Sequence, residues 1–254
     1  MGISDFVSGV VHAVFPKTTP YTSAVILAGG VGSRMMSPDG KTKQLREICG
    51  VPVIIHTLRA FDACPHIRET VLVVREEEKN ELSRLILLHG IQKVSVMVTG
   101  GKTRKDSALQ GFLAISKKAK FVAIHDAARC LIRSDDITRV VVAAHAYRAA
   151  TAASPVVDTV KTVTEDGFIE KTLPRDGLVY AATPQVFQTD LYRAAVYTAE
   201  KDGLDVTDDN MLLEHIGQTV KVVDCGFENF KITSESDLYR AEIILRKREN
   251  GNAT

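Results

Sequence analysis

Ala24-Val-Ile-Leu-Ala-Gly-Gly-Val-Gly-Ser-Arg-Met35 passes from unbroken apolar residues into glycines 29, 30 and 32 and then a cation, with Lys41 and Lys43 close behind. The apolar residues predict a buried strand over Ser23–Ala28. A loop without Cβ atoms lets backbone N–H groups approach a ligand, and such concavities attract phosphate. Arg34, Lys41 and Lys43 add full charges to that partial positive field. The expectation is a loop that grips a polyphosphate, in the first place a nucleotide.

Working outward, strand-like runs alternate with amphipathic helices: helix over Val53–Asp62, strand over Thr70–Val74, helix over Glu76–His89, strand over Lys93–Val98. Helix Lys105–Lys118, strand Phe121–His125 and a helix from Ser134, taken as its N-cap, to about Tyr147 continue the pattern. Such alternation predicts an α/β fold with a doubly wound, mostly parallel sheet that binds ligands at the strands' C-terminal ends. From Val156 to about Pro184 the pattern changes to short β segments, Thr159–Val163 and Phe168–Lys171, around the turn Glu165-Asp166-Gly167. This arm holds too few large apolar residues for a core of its own, so it either packs on a partner subunit or is an ordinary surface hairpin. Helices return at Asp190–Lys201 and Thr207–Ile216, then a strand at Val220–Val223 and a last helix from Ser234, where Ser234-x-x-Asp237 is like a capping box. The expected organisation is an extension over 1–22, one domain over 23–248 with the arm at about 156–184, and a tail over 249–254.

Composition bounds the function. With 254 residues the chain buries a substantial core, and its net charge of +1 gives no sign of a nucleic-acid surface. The 4 cysteines show neither paired nor zinc-binding spacing and read as reduced thiols, which places the protein in the cytoplasm. No run reaches the roughly 18 apolar residues of a membrane span. Phe6, Val7, Val10, Val11 and Val14 form an apolar helical stripe, expected to pack on the domain or on a neighbour. Its polar face lacks the Lys and Arg of a membrane-surface helix.

Familiar phosphate motifs fail on single positions. A dinucleotide fingerprint needs glycine where Met35 stands, which also disfavours an oxidoreductase. Gly40-Lys41-Thr42 and Gly101-Lys102-Thr103 end like P-loops, but their upstream glycines are replaced by Met35 and Val96.

The remaining signature, Leu-Ala-Gly-Gly-x-Gly-Ser-Arg-Met followed by Lys43-Gln44-Leu45, resembles nucleotidyltransferases that join a sugar or polyol phosphate to a nucleoside triphosphate. Gly100-Gly101 with Arg104 and Asp106-Ser107, His125-Asp-Ala-Ala-Arg129, Pro155-Val-Val-Asp-Thr-Val-Lys161, Thr183-Pro-Gln185, Thr207-Asp208 and Phe230-Lys-Ile-Thr233 follow in order. Together they resemble the 2-C-methyl-D-erythritol 4-phosphate cytidylyltransferases of the non-mevalonate isoprenoid pathway. Thr42 and Cys130 stand where that family usually has proline, which bears on loop rigidity. The related ribitol-5-phosphate cytidylyltransferases share the first motif, and Asp158-Thr159 with Lys161 leans towards the erythritol substrate. A nucleotide-binding protein without turnover is the alternative of another class.

The resemblance implies a Rossmann-like nucleotidyltransferase sheet with a protruding β-hairpin arm, and attack of a substrate phosphate oxygen on the α-phosphorus of CTP. That nucleophile is already anionic, so no general base is required, and fixed cations and positioning carry the reaction. By resemblance Arg34, Lys43 and Lys231 are catalytic, and Ala28, Gly29, Gly30, Gly32, Gly100, Gly101, Ser107 and Ala127 bind the nucleotide. Asp126, Arg129, Thr159, Arg175, Thr207 and Lys231 are the implied positions for the polyol phosphate. Thr159 and Arg175 would come from the neighbouring subunit of a homodimer. Asp126, at the mouth of a central strand, is the candidate partner for Mg²⁺ carried by the triphosphate. Simpler roles stand beside these: Ser107 as a helix cap, Asp126 as a turn cap, Lys231 as a snorkelling lysine, His125 as a packed residue, and Asp208 and Asp209 as caps rather than orienting groups.

Overall fold

A computed structural model of the chain describes residues 19–30 and 42–251. The apolar stripe expected between Phe6 and Val14, together with Gly32, Arg34 and Lys41, lies outside the described residues.

Strand β1 (Thr22–Leu27) is followed by a small β2–β3 pair (Glu47–Ile48, Val51–Pro52), α1 (Val53–Ala63) and β4 (Ile67–Val74). A 3₁₀ turn leads into α2 (Lys79–Leu88), and then come β5 (Val94–Thr99), α3 (Arg104–Leu113), β6 (Phe121–Asp126), α4 (Ser134–Tyr147) and β7 (Ala149–Pro155). The arm carries β8 (Lys161–Val163) and β9 (Ile169–Thr172); β10 (Val179–Gln188), α5 (Thr189–Lys201), α6 (Asn210–His215), β11 (Lys221–Asp224) and α7 (Glu235–Gly251) complete the chain. The main sheet is 7-stranded in the order β11-β7-β10-β6-β1-β4-β5. β1 pairs in parallel with both β4 and β6, and β10 alone runs antiparallel to its neighbours β6 and β7. The sheet is therefore doubly wound and mostly parallel, with a separate β8–β9 hairpin.

Alternation along the strands divides the core between the two sheet faces. Ala24, Ile26 and Leu72 pack with Ile54 and Phe61 of α1 on one face, while Val25 and Val73 pack with Phe112 of α3 and Tyr192 of α5 on the other. A third cluster sets Leu238 and Ala241 of α7 against Ile48, Leu131 and Ile232, clamping the segment that contains Lys231. The sheet order changes direction at β1, where β4 and β5 extend one way and β6 the other. The register pairs Leu27 with Asp126, so the C-terminal ends of β1 and β6 open side by side at that switch point.

Several local expectations need correction. Ser134 is the first residue of α4; the cap position is Arg133, in extended conformation, and no side chain caps that end. Helix α3 begins at Arg104 behind a complete Thr103–Asp106 capping box, which releases Ser107 from a capping role. Strand β7 is not signalled by alternation, because Ala149–Pro155 is rich in alanine and its strand form depends on pairing with β10 and β11. Residues 179–184 of the expected arm form part of β10 in the main sheet. At the start of α7, by contrast, Asp237 accepts from the backbone and hydroxyls of Thr233 and Ser234 at 2.8–2.9 Å. The 4 cysteines are all free thiols. No helix among the described residues is long and apolar enough to cross a membrane.

Two histidines tie stability to pH. Burial pushes the imidazole of His125 down to about 3, and burial followed by the neighbouring His66 pushes His145 down to about 4. An unfolded imidazole takes up its proton near pH ~6.5. Between these values the unfolded chain binds more protons, so stability falls as pH falls. The melting temperature is expected to drop as pH falls from 7 to 5, and His145→Gln to flatten that dependence in thermal melts followed by circular dichroism. Equal slopes for both proteins would exclude His145 as a source.

Candidate active site

A cavity of about 220 Å³ opens at the switch point. Leu27, Gly29 and Gly30 reach it from the end of β1, and Asp126 and Ala128 from the end of β6. Gly101 and Ser107 contribute from the α3 side, Lys43 and Gln44 from the turn before β2, and Lys231 from the segment before α7. Residues far apart in sequence meet here because parallel strands align their C-terminal ends.

The cradle is shaped by backbone. Gly101 accepts no side chain, since a Cβ there would stand 2.3 Å from Cβ of Asp106. Its N–H donates to Oγ of Ser107 at 3.1 Å. Gly30 is the opposite case: a Cβ would meet nothing within 4 Å, and its backbone is not left-handed. Glycine at 30 therefore has no steric cause within the described protein, and keeping that space clear for a ligand is a sufficient one. Gln44 fixes the loop's entry by donating from Nε2 to the carbonyl of Ala28 at 2.9 Å. Thr42, where the resemblance leads one to expect proline, is held by donating its hydroxyl to Oε1 of buried Glu78 at 2.6 Å.

Asp126 is the electrostatic centre. Only 8% exposed, it accepts from Nε of Arg104 at 3.1 Å on Oδ1 and from Nζ of Lys231 at 2.7 Å on Oδ2. Burial alone would raise its pKa, but Arg104 and then Lys231 outweigh it and hold the carboxyl well below the usual range. Its backbone N–H donates to Oγ1 of Thr183 at 3.0 Å, and that hydroxyl also meets Nδ1 of His125. His125 is fully buried against Phe61, a packed residue. Lys43 donates to the carbonyl of Ile232 at 3.4 Å, directly beside Lys231. Two lysines from opposite ends of the chain thus converge on one cavity.

The chain is similar to known proteins over most of its length. The family model of 2-C-methyl-D-erythritol 4-phosphate cytidylyltransferase (IspD) matches residues 22–247. The enzyme of that name from Pelotomaculum thermopropionicum is 41% identical over 228 residues, covering 89% of this chain and 95% of the relative. That from Shouchella clausii is 39% identical, covering 90% and 98%. The chain belongs to the 2-C-methyl-D-erythritol 4-phosphate cytidylyltransferase family. Among solved structures, the 4-diphosphocytidyl-2C-methyl-D-erythritol synthase of Anaerococcus prevotii superposes with a TM-score of 0.79 at 27% identity, covering 90% of this chain and 97% of that one. The family's enzyme from Francisella tularensis gives 0.73 at 28% identity, covering 87% and 98%.

Within this cytidylyltransferase framework, Lys43, Lys231, Gly29, Gly30, Gly101, Ser107 and Asp126 all line the cavity. Ala28 and Ala127 lie buried beneath it, and the N–H of Ala127 donates to the carbonyl of Leu27 at 3.0 Å, joining the two strand ends. Gly100 donates to the carbonyl of Val74 at 2.9 Å and is not among the lining residues. Arg129 turns towards the Lys231 segment, donating to the carbonyl of Asn229 at 2.9 Å. Thr207 is exposed and donates to Sδ of Met211 at 3.2 Å. Thr159 and Arg175 stand exposed on the arm, where the Arg175 guanidinium donates to the carbonyl of Val157; neither lines the cavity of its own chain.

Gln44 and Arg104 carry no role in the sequence reading, although both fall inside its motifs. Asp209, expected as a cap, instead accepts from Nη1 of Arg104 at 2.6 Å and caps nothing with its side chain. Asp208 does accept from the N–H of Met211 at 3.2 Å, as a cap would. No group of three or more His, Cys, Asp or Glu among the described residues could hold a metal ion. One carboxylate facing the cavity nevertheless suits magnesium, which takes few protein ligands when a polyphosphate supplies the rest.

Proposed function

We propose that this protein transfers CMP from CTP to the phosphate of 2-C-methyl-D-erythritol 4-phosphate and releases pyrophosphate, in the cytoplasm, as a step of isoprenoid precursor synthesis. The observation that carries this reading is the convergence of Lys43, Lys231 and Asp126 on a glycine-edged cavity at the sheet's switch point, in a chain of this family. A phosphate oxygen of the acceptor attacks the α-phosphorus; the new P–O bond forms as the bond to the bridging oxygen breaks, and the pyrophosphate leaves with those electrons. No proton needs to be removed from the nucleophile. Lys43 and Lys231 offset the charge of two approaching anions, and the glycine edge admits the triphosphate closely. Magnesium brought by the nucleotide would be held by Asp126 together with phosphate oxygens and water, and it supplies further charge neutralisation.

The arm supports a second part of the reading, a homodimer with composite sites. Phe168 and Ile169 on the hairpin are 73% and 67% exposed, apolar surface that a partner subunit would cover. Arg175 would then offer its planar fork to the polyol phosphate of the neighbouring site. Arg175→Ala is expected to raise the KM for the polyol phosphate by roughly tenfold or more with little change for CTP, as loss of a charge-assisted contact implies. Mixing Arg175→Ala with Lys43→Ala subunits is expected to restore activity through mixed dimers carrying one intact site; exchange without rescue would exclude a shared site. The reaction itself is tested by measuring pyrophosphate release with CTP, UTP and ATP crossed with methylerythritol phosphate and ribitol 5-phosphate. Equal or faster release with ribitol 5-phosphate would overturn the assignment of substrate.

A further inference from the structure

We propose that Asp209 is a positioning residue of this site, holding the Arg104 guanidinium so that Asp126 keeps one carboxylate oxygen for Lys231. The proposal rests on the CMP-transfer reading above. Asp209 is 2% exposed and does not line the cavity, so it can act only through a neighbour. Both its oxygens are engaged: Oδ2 accepts from Nη1 of Arg104 at 2.6 Å and Oδ1 from the hydroxyl of Tyr192 at 2.7 Å. Its backbone N–H donates to Oε1 of Gln185 at 2.9 Å. Tyr192 is itself fixed, edge-on to Phe112 at 4.9 Å and stacked on Phe187 at 5.4 Å.

A continuous line therefore runs from the core to the cavity, Tyr192 to Asp209 to Arg104 to Asp126 to Lys231. The guanidinium has several donors in a rigid fork, and a lone carboxylate usually draws two of them at once. Here Asp126 receives only Nε, while Nη1, on the other edge of the guanidinium plane, is held by Asp209, which fixes how that plane is turned. Without that second carboxylate the fork is free to turn onto Asp126 and compete with Lys231 for it. Lys231, a cavity-lining lysine on a flexible stem, would then lose its fixed place.

A double-mutant cycle tests this, with kcat and both KM values measured by pyrophosphate release. Asp209→Asn keeps the shape and is expected to lower kcat about tenfold or more, with the KM for CTP changed less than about threefold. In an Arg104→Ala background the same substitution is expected to cost less than about twofold, because the group it acts through is gone. Tyr192→Phe keeps the ring and removes only the hydroxyl donor; a smaller loss of about two- to fivefold, also absent with Arg104→Ala, is expected. If Asp209→Asn does not fold, as judged by its melting curve, the Tyr192→Phe cycle decides alone. Losses that multiply across the cycle would overturn the proposal while leaving the transfer reading intact. A wild-type protein that releases no pyrophosphate from CTP and methylerythritol phosphate would overturn that reading, and this proposal with it.

Discussion

Lys43→Ala is expected to lower kcat for CMP transfer by about 10²–10³-fold, the cost of removing one preorganised group from a site of developing charge. The lysine stands in the turn before β2, between the glycine edge and α1, and lines the cavity. Its Nζ reaches the carbonyl of Ile232, so it approaches the cavity beside Lys231 from a separate element. Two phosphate-bearing substrates repel each other, and no side chain in this site is needed to make a nucleophile. Positive charge held in place is therefore the main contribution the protein can make, and losing half of a lysine pair should be felt in turnover more than in folding. A melting curve close to wild type, measured beside pyrophosphate release, separates the two effects. A loss below tenfold would take Lys43 out of the catalytic set.

Asp126→Asn is expected to injure both activity and stability. An amide in place of the carboxylate presents two N–H donors to a site already occupied by donors from Arg104 and Lys231. Because the Asp126 side chain is only 11% exposed while its partners keep some water, the cost is roughly 2–4 kcal/mol, below that of a fully enclosed pair. For a chain of this size that lowers the melting temperature by on the order of 10 °C. Turnover should fall by about 10²-fold, as misplacement of a reacting group by about an ångström does. The pH sign follows from the depressed carboxyl, held down by Arg104 and Lys231 against burial. Its contribution is fully present above the unfolded value near pH ~4 and is lost as pH falls towards the lower folded value. Acid denaturation of Asp126→Asn should accordingly show a shallower final limb than wild type. An unchanged melt at pH 7 would show that the three-residue cluster does not stabilise the fold.

Much of the fold and of this cluster is legible in the sequence. The strand at Ser23–Ala28 shows as a continuous apolar run, the helix at Ser134–Tyr147 as a pattern of period 3.6 and the arm turn at Glu165-Asp166-Gly167 by its turn chemistry, and these signals are local. Lys43, Asp126 and Lys231 can be singled out because each follows an apolar run or stands in a recognisable segment. Strand β7 is not legible: its alanines favour no sheet, and only pairing between β10 and β11 makes them extended. Asp209 reads as a cap for a related reason. Its neighbours in sequence suggest a helix start, but its partners Arg104 and Tyr192 come from α3 and α5.

Local chemistry along the chain thus determined the α/β alternation, the glycine-edged loop and the stock of cations able to meet a triphosphate, since each depends on residues within a few positions of one another. The packing of distant elements alone decided that Arg104 is shared between Asp126 and Asp209, that Lys43 and Lys231 meet, and that Ser107 serves Gly101 rather than a helix end. Hydrogen bonds and ion pairs act over about 3 Å. Which side chains come that close is set by how the helices seat on the sheet, and no linear spacing records it.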